Sequence, residues 1–211
     1  MQKLTLVPMV LLGYLIFTNL TAAQSASPVT AAPATKLGSL EATVSVVVLK
    51  GTTDLGSVPG KAGAVAVKCR EVTDTSTGQK ERGIALEITQ KDQPKDVLLV
   101  DYDEIARLLS AIEYVRALDP TVTPLAAFDA AYTTKGGLRV AALGTRRTGA
   151  VQFAVRDVRL TNAPVVLSPE GMASFSGLIS QARTVLDSLA DRSVAAPAAT
   201  FAVPAASPGT P

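Results

Sequence analysis

The sequence predicts an α+β protein made of two successive ββββα units, antiparallel sheets each covered by one helix and related by a pseudo-twofold axis. Three observations predict it. Ile84-Ala85-Leu86-Glu87-Ile88 alternates in the manner of a half-buried strand, and Val151-Gln152-Phe153-Ala154-Val155 does the same 67 residues later. The same offset carries Leu98-Leu99-Val100 onto Val165-Val166-Leu167. It then carries Asp101 onto Ser168, each an N-cap residue type, and Ile105, Leu108 and Ile112 onto Met172, Phe175 and Ile179.

Taken in order, the first unit opens with a strand over Ala42–Leu49 and a Gly- and Pro-containing connection from Gly51 to Gly63. A strand over Ala64–Val72, a turn from Thr73 to Gly78, the Ile84–Ile88 strand, a turn from Lys91 to Lys95 and the Leu98–Val100 strand follow. The helix after Asp101 carries Ile105, Leu108, Leu109, Ile112 and Val115 at spacings of three and four, one apolar stripe. Asp101 stands three residues before Glu104, a spacing suited to reciprocal capping, and Asp119-Pro120 stops the helix. In the second unit, strands over Ala127–Thr133 and Leu138–Leu143 precede a turn from Gly144 to Gly149 and the Val151–Val155 strand. The last helix opens on Ser168-Pro169-Glu170: a cap, proline in the first turn, and an acid at the positive end of the helix dipole. Met172, Phe175, Ile179, Ala182, Leu186 and Leu189 form its stripe. The units are expected over residues 40–120 and 121–192.

In element order, residues 40–190 resemble the Whirly proteins and related folds that bind single-stranded nucleic acid, which duplicate four strands and a helix. The resemblance implies a basic, aromatic-bearing sheet face that holds unstacked bases. The aromatics available are Tyr102, Tyr114, Phe128, Tyr132, Phe153 and Phe175, and the last two belong to expected core faces.

The tails differ in kind. Lys3 supplies a positive charge, the stretch from Leu4 to Leu20 is mostly apolar, and Thr21-Ala22-Ala23 offers small residues for a peptidase, the secretory pattern. Residues 1–23 are therefore expected to be a signal peptide, with the protein periplasmic or secreted, without a membrane span after cleavage, and tethered to the membrane if cleavage does not occur. Residues 24–39 and 193–211 are rich in Ala, Pro, Ser and Thr; small side chains bury too little surface to offset ordering entropy, and both read as disordered linkers.

Chemistry is narrowed by what the chain lacks. It has no histidine, which removes histidine-activated nucleophiles and histidine-ligated metals. One cysteine excludes an internal disulfide, and Cys69, on the face of Val65 and Val67, reads as a buried thiol. Gly56-Ser57-Val58-Pro59-Gly60-Lys61 is one residue short of a phosphate loop and has Ala62 where a magnesium-binding hydroxyl would stand. Asp101, Asp103 and Glu104 form the densest acidic cluster, read as a helix start ahead of a carboxylate hydrolase. The near-neutral chain, at +2 before removal of Lys3, gives no electrostatic reason to seek nucleic acid. A non-enzymatic binding or scaffolding role toward an envelope protein or other partner is expected, with no cofactor and with homo-oligomerisation open. The residues expected to meet an anion or acidic partner are Arg139, Arg146, Arg147, Arg156 and Arg159.

Overall fold

A computed structural model describes residues 34–91, 93–160 and 162–195, the last six through their backbone. The expected signal peptide and most of both expected linkers lie outside the described residues. Eleven elements follow in order: α1 (Lys36–Glu41), β1 (Val48–Gly60), β2 (Gly63–Asp74), β3 (Lys80–Gln90), β4 (Asp96–Asp101), α2 (Tyr102–Arg116), β5 (Ala127–Thr133), β6 (Leu138–Thr145), β7 (Ala150–Asp157), β8 (Val165–Leu167) and α3 (Pro169–Ala195). They make two four-stranded antiparallel sheets, ordered β1-β2-β3-β4 and β5-β6-β7-β8, each followed by a helix. The duplicated ββββα order is thus present. The offset of 67 holds from β3 onward and fails before it because β2 and β3 run 12 and 11 residues, whereas β6 and β7 run eight each.

Two differences fall at the start of the first unit. The stretch from Gly51 to Gly63, expected as a connection, is mostly strand: β1 runs to Gly60 and pairs with β2 through Pro59 opposite Ala64. β1 is an edge strand, where a proline without an N–H costs no ladder bond, and the register shift between Asp54 and Gly56 is a bulge. The expected strand over Ala42–Leu49 shrinks to the first residues of β1. Ahead of it, Lys36–Glu41 is helical although residues 24–39 were expected to be linker. Thr35 caps this helix through Gly38 N (3.0 Å), and its Leu37 and Leu40 are buried beside Val72, against Val48 and Leu99. At the other end, α3 extends three residues into the segment expected as tail.

The core lies between the sheets and is filled by both helices. Ile105, Leu108, Ile112 and Val115 of α2 are buried, as are Met172, Phe175, Ile179, Ala182 and Leu186 of α3. Burial of each large side chain contributes about 1.5–3 kcal/mol. The helices are shared between the sheets: α3 lies mainly on β1 and β2, α2 touches β3, β4, β5 and β6, and the two pack on one another.

The junction of the repeats is reciprocal. The Lys61-Ala62 turn of the β1–β2 hairpin bonds to β8, Lys61 N donating to Val166 O (2.8 Å) and Val166 N to Lys61 O (3.3 Å). The β5–β6 turn packs on β4 at the equivalent place, by the close approach of Gly136 to the carbonyl of Leu99. Leu99 and Val166 are equivalent under the 67-residue offset. A Cβ on Gly136 would stand 2.0 Å from Leu99 O, and one on Gly60 would stand 2.7 Å from Val166 O.

These contacts distinguish two glycine substitutions. Gly136→Ala has no room and is expected to lower unfolding free energy by about 1–3 kcal/mol, as overpacking does. Gly177→Ala, in α3 with nothing within 4 Å of the added Cβ, is expected to raise it by up to about 1 kcal/mol. Urea denaturation of the two variants beside the parent protein measures both.

Candidate functional site

The arginines expected to meet an anion fall into three places. Arg139 on β6 stands directly opposite Arg156 on β7 in the sheet register. Both point away from the helices, because their neighbours Leu138, Val140 and Val155 point into the core. Arg146 and Arg147 lie in the β6–β7 turn, about 20 Å away by strand rise. There Arg146 is held by Pro124 O, accepting from Nη1 at 2.9 Å, and Arg147 is exposed. Arg159 folds back on Asp157, donating from Nε to both carboxylate oxygens at 2.9 Å and from its backbone N at 2.7 Å. The five residues therefore do not converge; Arg139 and Arg156 do.

Those two wall a depression of about 200 Å³ on the outer face of the second sheet. Ala141 and Ala154 form its floor, both buried, with Leu143 and Pro164 beside them. Asp129 of β5 takes up Arg139 through a two-pronged pair at 3.0 and 2.9 Å. No acid among the described residues pairs with Arg156, and its Nε is buried without a hydrogen-bond partner. Leaving such a group unmatched costs about 1–3 kcal/mol, more when it is charged. The outer face of the first sheet is arranged differently. There α1 covers one end, Lys68 bridges Asp54 (2.8 Å) and Glu87 (3.1 Å), and Arg70 and Lys50 converge on Glu41 (2.9 and 3.1 Å).

The acidic cluster has other work. Asp101 sits at the N-cap of α2 but makes no side-chain cap bond there; its carboxylate accepts from Lys36 N (2.9 Å) and Leu37 N (3.1 Å), and so caps α1. Glu104 accepts from Lys135 N (3.0 Å) in the β5–β6 turn and from the Tyr132 hydroxyl (3.4 Å), so the expected reciprocal cap is not formed. Asp103 pairs with Lys36 at 3.0 Å, and that hydrogen bond holds its carboxyl below the usual range. Asp101 and Asp103 border an open cavity of about 430 Å³, but oxygens of theirs face amides and an ammonium. Among the described residues, no three or more Cys, Asp or Glu side chains group as a metal would need. No helix of the described residues is long and apolar enough to cross a membrane.

The aromatics lie off the outer sheet faces. Phe128, Tyr132 and Phe153 pack on the core, and the exposed Tyr102 and Tyr114 belong to α2. Comparison with protein-family models, curated proteins and solved structures finds no match to this chain.

Sequence reasoning placed Arg139 and Arg156 among five candidates without separating them. The signal that separates them is pairing register, which depends on the length of the β6–β7 turn. It missed Asp129 because the acid that neutralises Arg139 lies ten residues earlier on another strand.

Cys69 is buried, its Sγ 3.6 Å from Ala182 O, and burial pushes its thiol up to about 11. A thiolate reagent at neutral pH is expected to leave the native protein unlabelled and to label one thiol per chain in urea. Fast labelling of the native protein would contradict the packing of α3 over β2.

Proposed function

We propose that this is an exported, non-enzymatic binding domain that holds an acidic segment of a partner protein on the outer face of its second sheet. The observation that carries the reading is Arg156: a guanidinium without an acidic partner, at the edge of an apolar depression, opposite an arginine already neutralised by Asp129. A carboxylate there would make a charge-assisted fork with Arg156 while its aliphatic stem covers Ala141 and Ala154. Export rests on the charge, apolar stretch and small residues of positions 1–23. A binding role in place of catalysis is supported by the absence of histidine and by the engagement of Asp101, Asp103 and Glu104 with amides and a lysine. An acidic peptide fits better than single-stranded nucleic acid, which needs aromatic platforms on the binding face.

A fluorescent tetra-glutamate peptide is expected to bind the protein, with affinity that falls as salt rises, while the tetra-glutamine analogue does not. Arg156→Gln is expected to weaken binding roughly tenfold or more, the cost of one charged hydrogen bond. Arg147→Gln, in the distant turn, is expected to leave it unchanged. Equal affinity of the parent and Arg156→Gln proteins would refute the site. Export is checked by N-terminal sequencing of the processed protein, expected to begin at Gln24.

A further inference from the structure

A second feature of the repeat junction faces Arg156 from behind. At the end of β3, the Gln90 side chain donates to Ala163 O across the seam between the sheets. The offset of 67 carries Gln90 onto Asp157 and Ala163 onto Asp96, and those two residues also meet across the seam, both lining one small void with Arg156. The equivalent contacts thus differ in kind: an amide on a carbonyl in one, a carboxyl facing a carboxyl in the other. Two carboxylates cannot sit together ionised in a half-buried place without a proton between them or cations around them. The void holds about 10 Å³, room for about one water, so no ligand enters to separate them.

The charged groups facing this pair come from three places. Arg159, in the turn after β7, forks Asp157. Arg156 of β7 lines the void. From β4 only Asp96 itself faces the seam, since the neighbouring Lys95 turns to Glu87 at 2.8 Å. β3 contributes the neutral Gln90 and the apolar Ile88. The asymmetry decides where the proton sits. Burial, then the charge of Asp157, pushes Asp96 above the usual aspartate range. Burial presses Asp157 upward too, but its hydrogen bonds from Arg159 outweigh this and hold it below. Of the two, Asp96 is the one that keeps a proton to higher pH, and that proton faces Asp157.

We propose that the Asp96–Asp157 pair regulates anion binding at Arg156, a residue that lines both the seam void and the outer depression. The proposal rests on the reading of that depression as an anion site. With the proton in place, Asp157 is satisfied by Arg159 and Asp96, and Arg156 is free to meet an oxyanion from outside. When Asp96 ionises, the seam carries two negative charges against Arg159, which already forks Asp157, and the other cation, Arg156, lines the same void. Binding is therefore tighter on the acid side of the Asp96 titration and weaker on the alkaline side. Stability carries the same sign for Asp96. A carboxyl raised on folding keeps its proton longer in the folded state, so the stability it contributes is lost as pH rises through its folded value.

Two measurements on the full chain test this. Carbon-13 carboxyl titration by NMR is expected to show Asp96 titrating above the normal aspartate range in the parent protein and returning toward it in Asp157→Asn. Binding is followed with a peptide of four cysteic acids, whose sulfonates stay ionised throughout. The parent protein is expected to lose affinity as pH rises through the Asp96 titration. Asp96→Asn, whose amide donates to Asp157 as the protonated acid does, is expected to bind at all pH values as the acid form does, roughly fivefold or more tighter than the alkaline parent. The same pH profile in both proteins, or an ordinary titration of Asp96 unaffected by Asp157→Asn, overturns the coupling and leaves the site standing. No binding by either protein at any pH overturns the site and the coupling together.

Discussion

Each repeat lends the turn of its first hairpin to the last strand of the other, and both exchanges depend on the absence of a side chain. The Lys61-Ala62 turn reaches Val166 because Gly60 adds no Cβ against β8, and the β5–β6 turn reaches Leu99 because Gly136 adds none against β4. Close backbone approach brings the two sheets to a fixed separation, and that separation sets how much side chain α2 and α3 must supply to fill the interior. Large residues at the repeat-equivalent positions Leu108 and Phe175, and Ile112 and Ile179, meet the demand from both sides. The seam that brings Asp96 against Asp157 follows from the same docking.

Much of this arrangement was legible in the sequence. The strands of alternating polarity and the stripes of α2 and α3 are local periodicities, visible because one face of each element is apolar and the other is not. Duplication made them more secure, since one offset had to satisfy strand, cap and helix at once. What escaped was non-local. α1 is six residues long and too short to show a period; it is held by a carboxylate 65 residues away and by leucines placed over Val72 and Leu99. β1 looked like a loop because glycine and proline usually break strands, and only its place at the sheet edge makes them harmless.

The candidate site divides along the same line. That arginines cluster near β6 and β7 is written in the chain, but which of them remain available is a matter of partners. Arg139 is taken by Asp129 and Arg159 by Asp157, one acid ten residues before its arginine and the other two. Subtraction leaves Arg156 and the distant, exposed Arg147, and the strand register then sets Arg156 at the depression, a distinction that needs a fold. Asp101 and Glu104 illustrate the converse: residues of the right type at the right spacing for a reciprocal cap, each drawn instead to a backbone amide on another element.

The sharing of the helices has a consequence for the order in which the chain becomes a protein. The inner faces of β1 and β2 are covered mainly by α3, the last described element, while α2 reaches the rest. During synthesis the first sheet can pair its strands as soon as Asp101 has emerged, yet the apolar side chains of Val65 and Val67 wait for Phe175 to Leu186 before they are dry. For that interval the chain is a half-roofed sheet, the kind of intermediate that attracts chaperones and neighbouring chains. The duplication that doubles the core also delays its closure, so that neither repeat is a safe stopping point for a nascent chain.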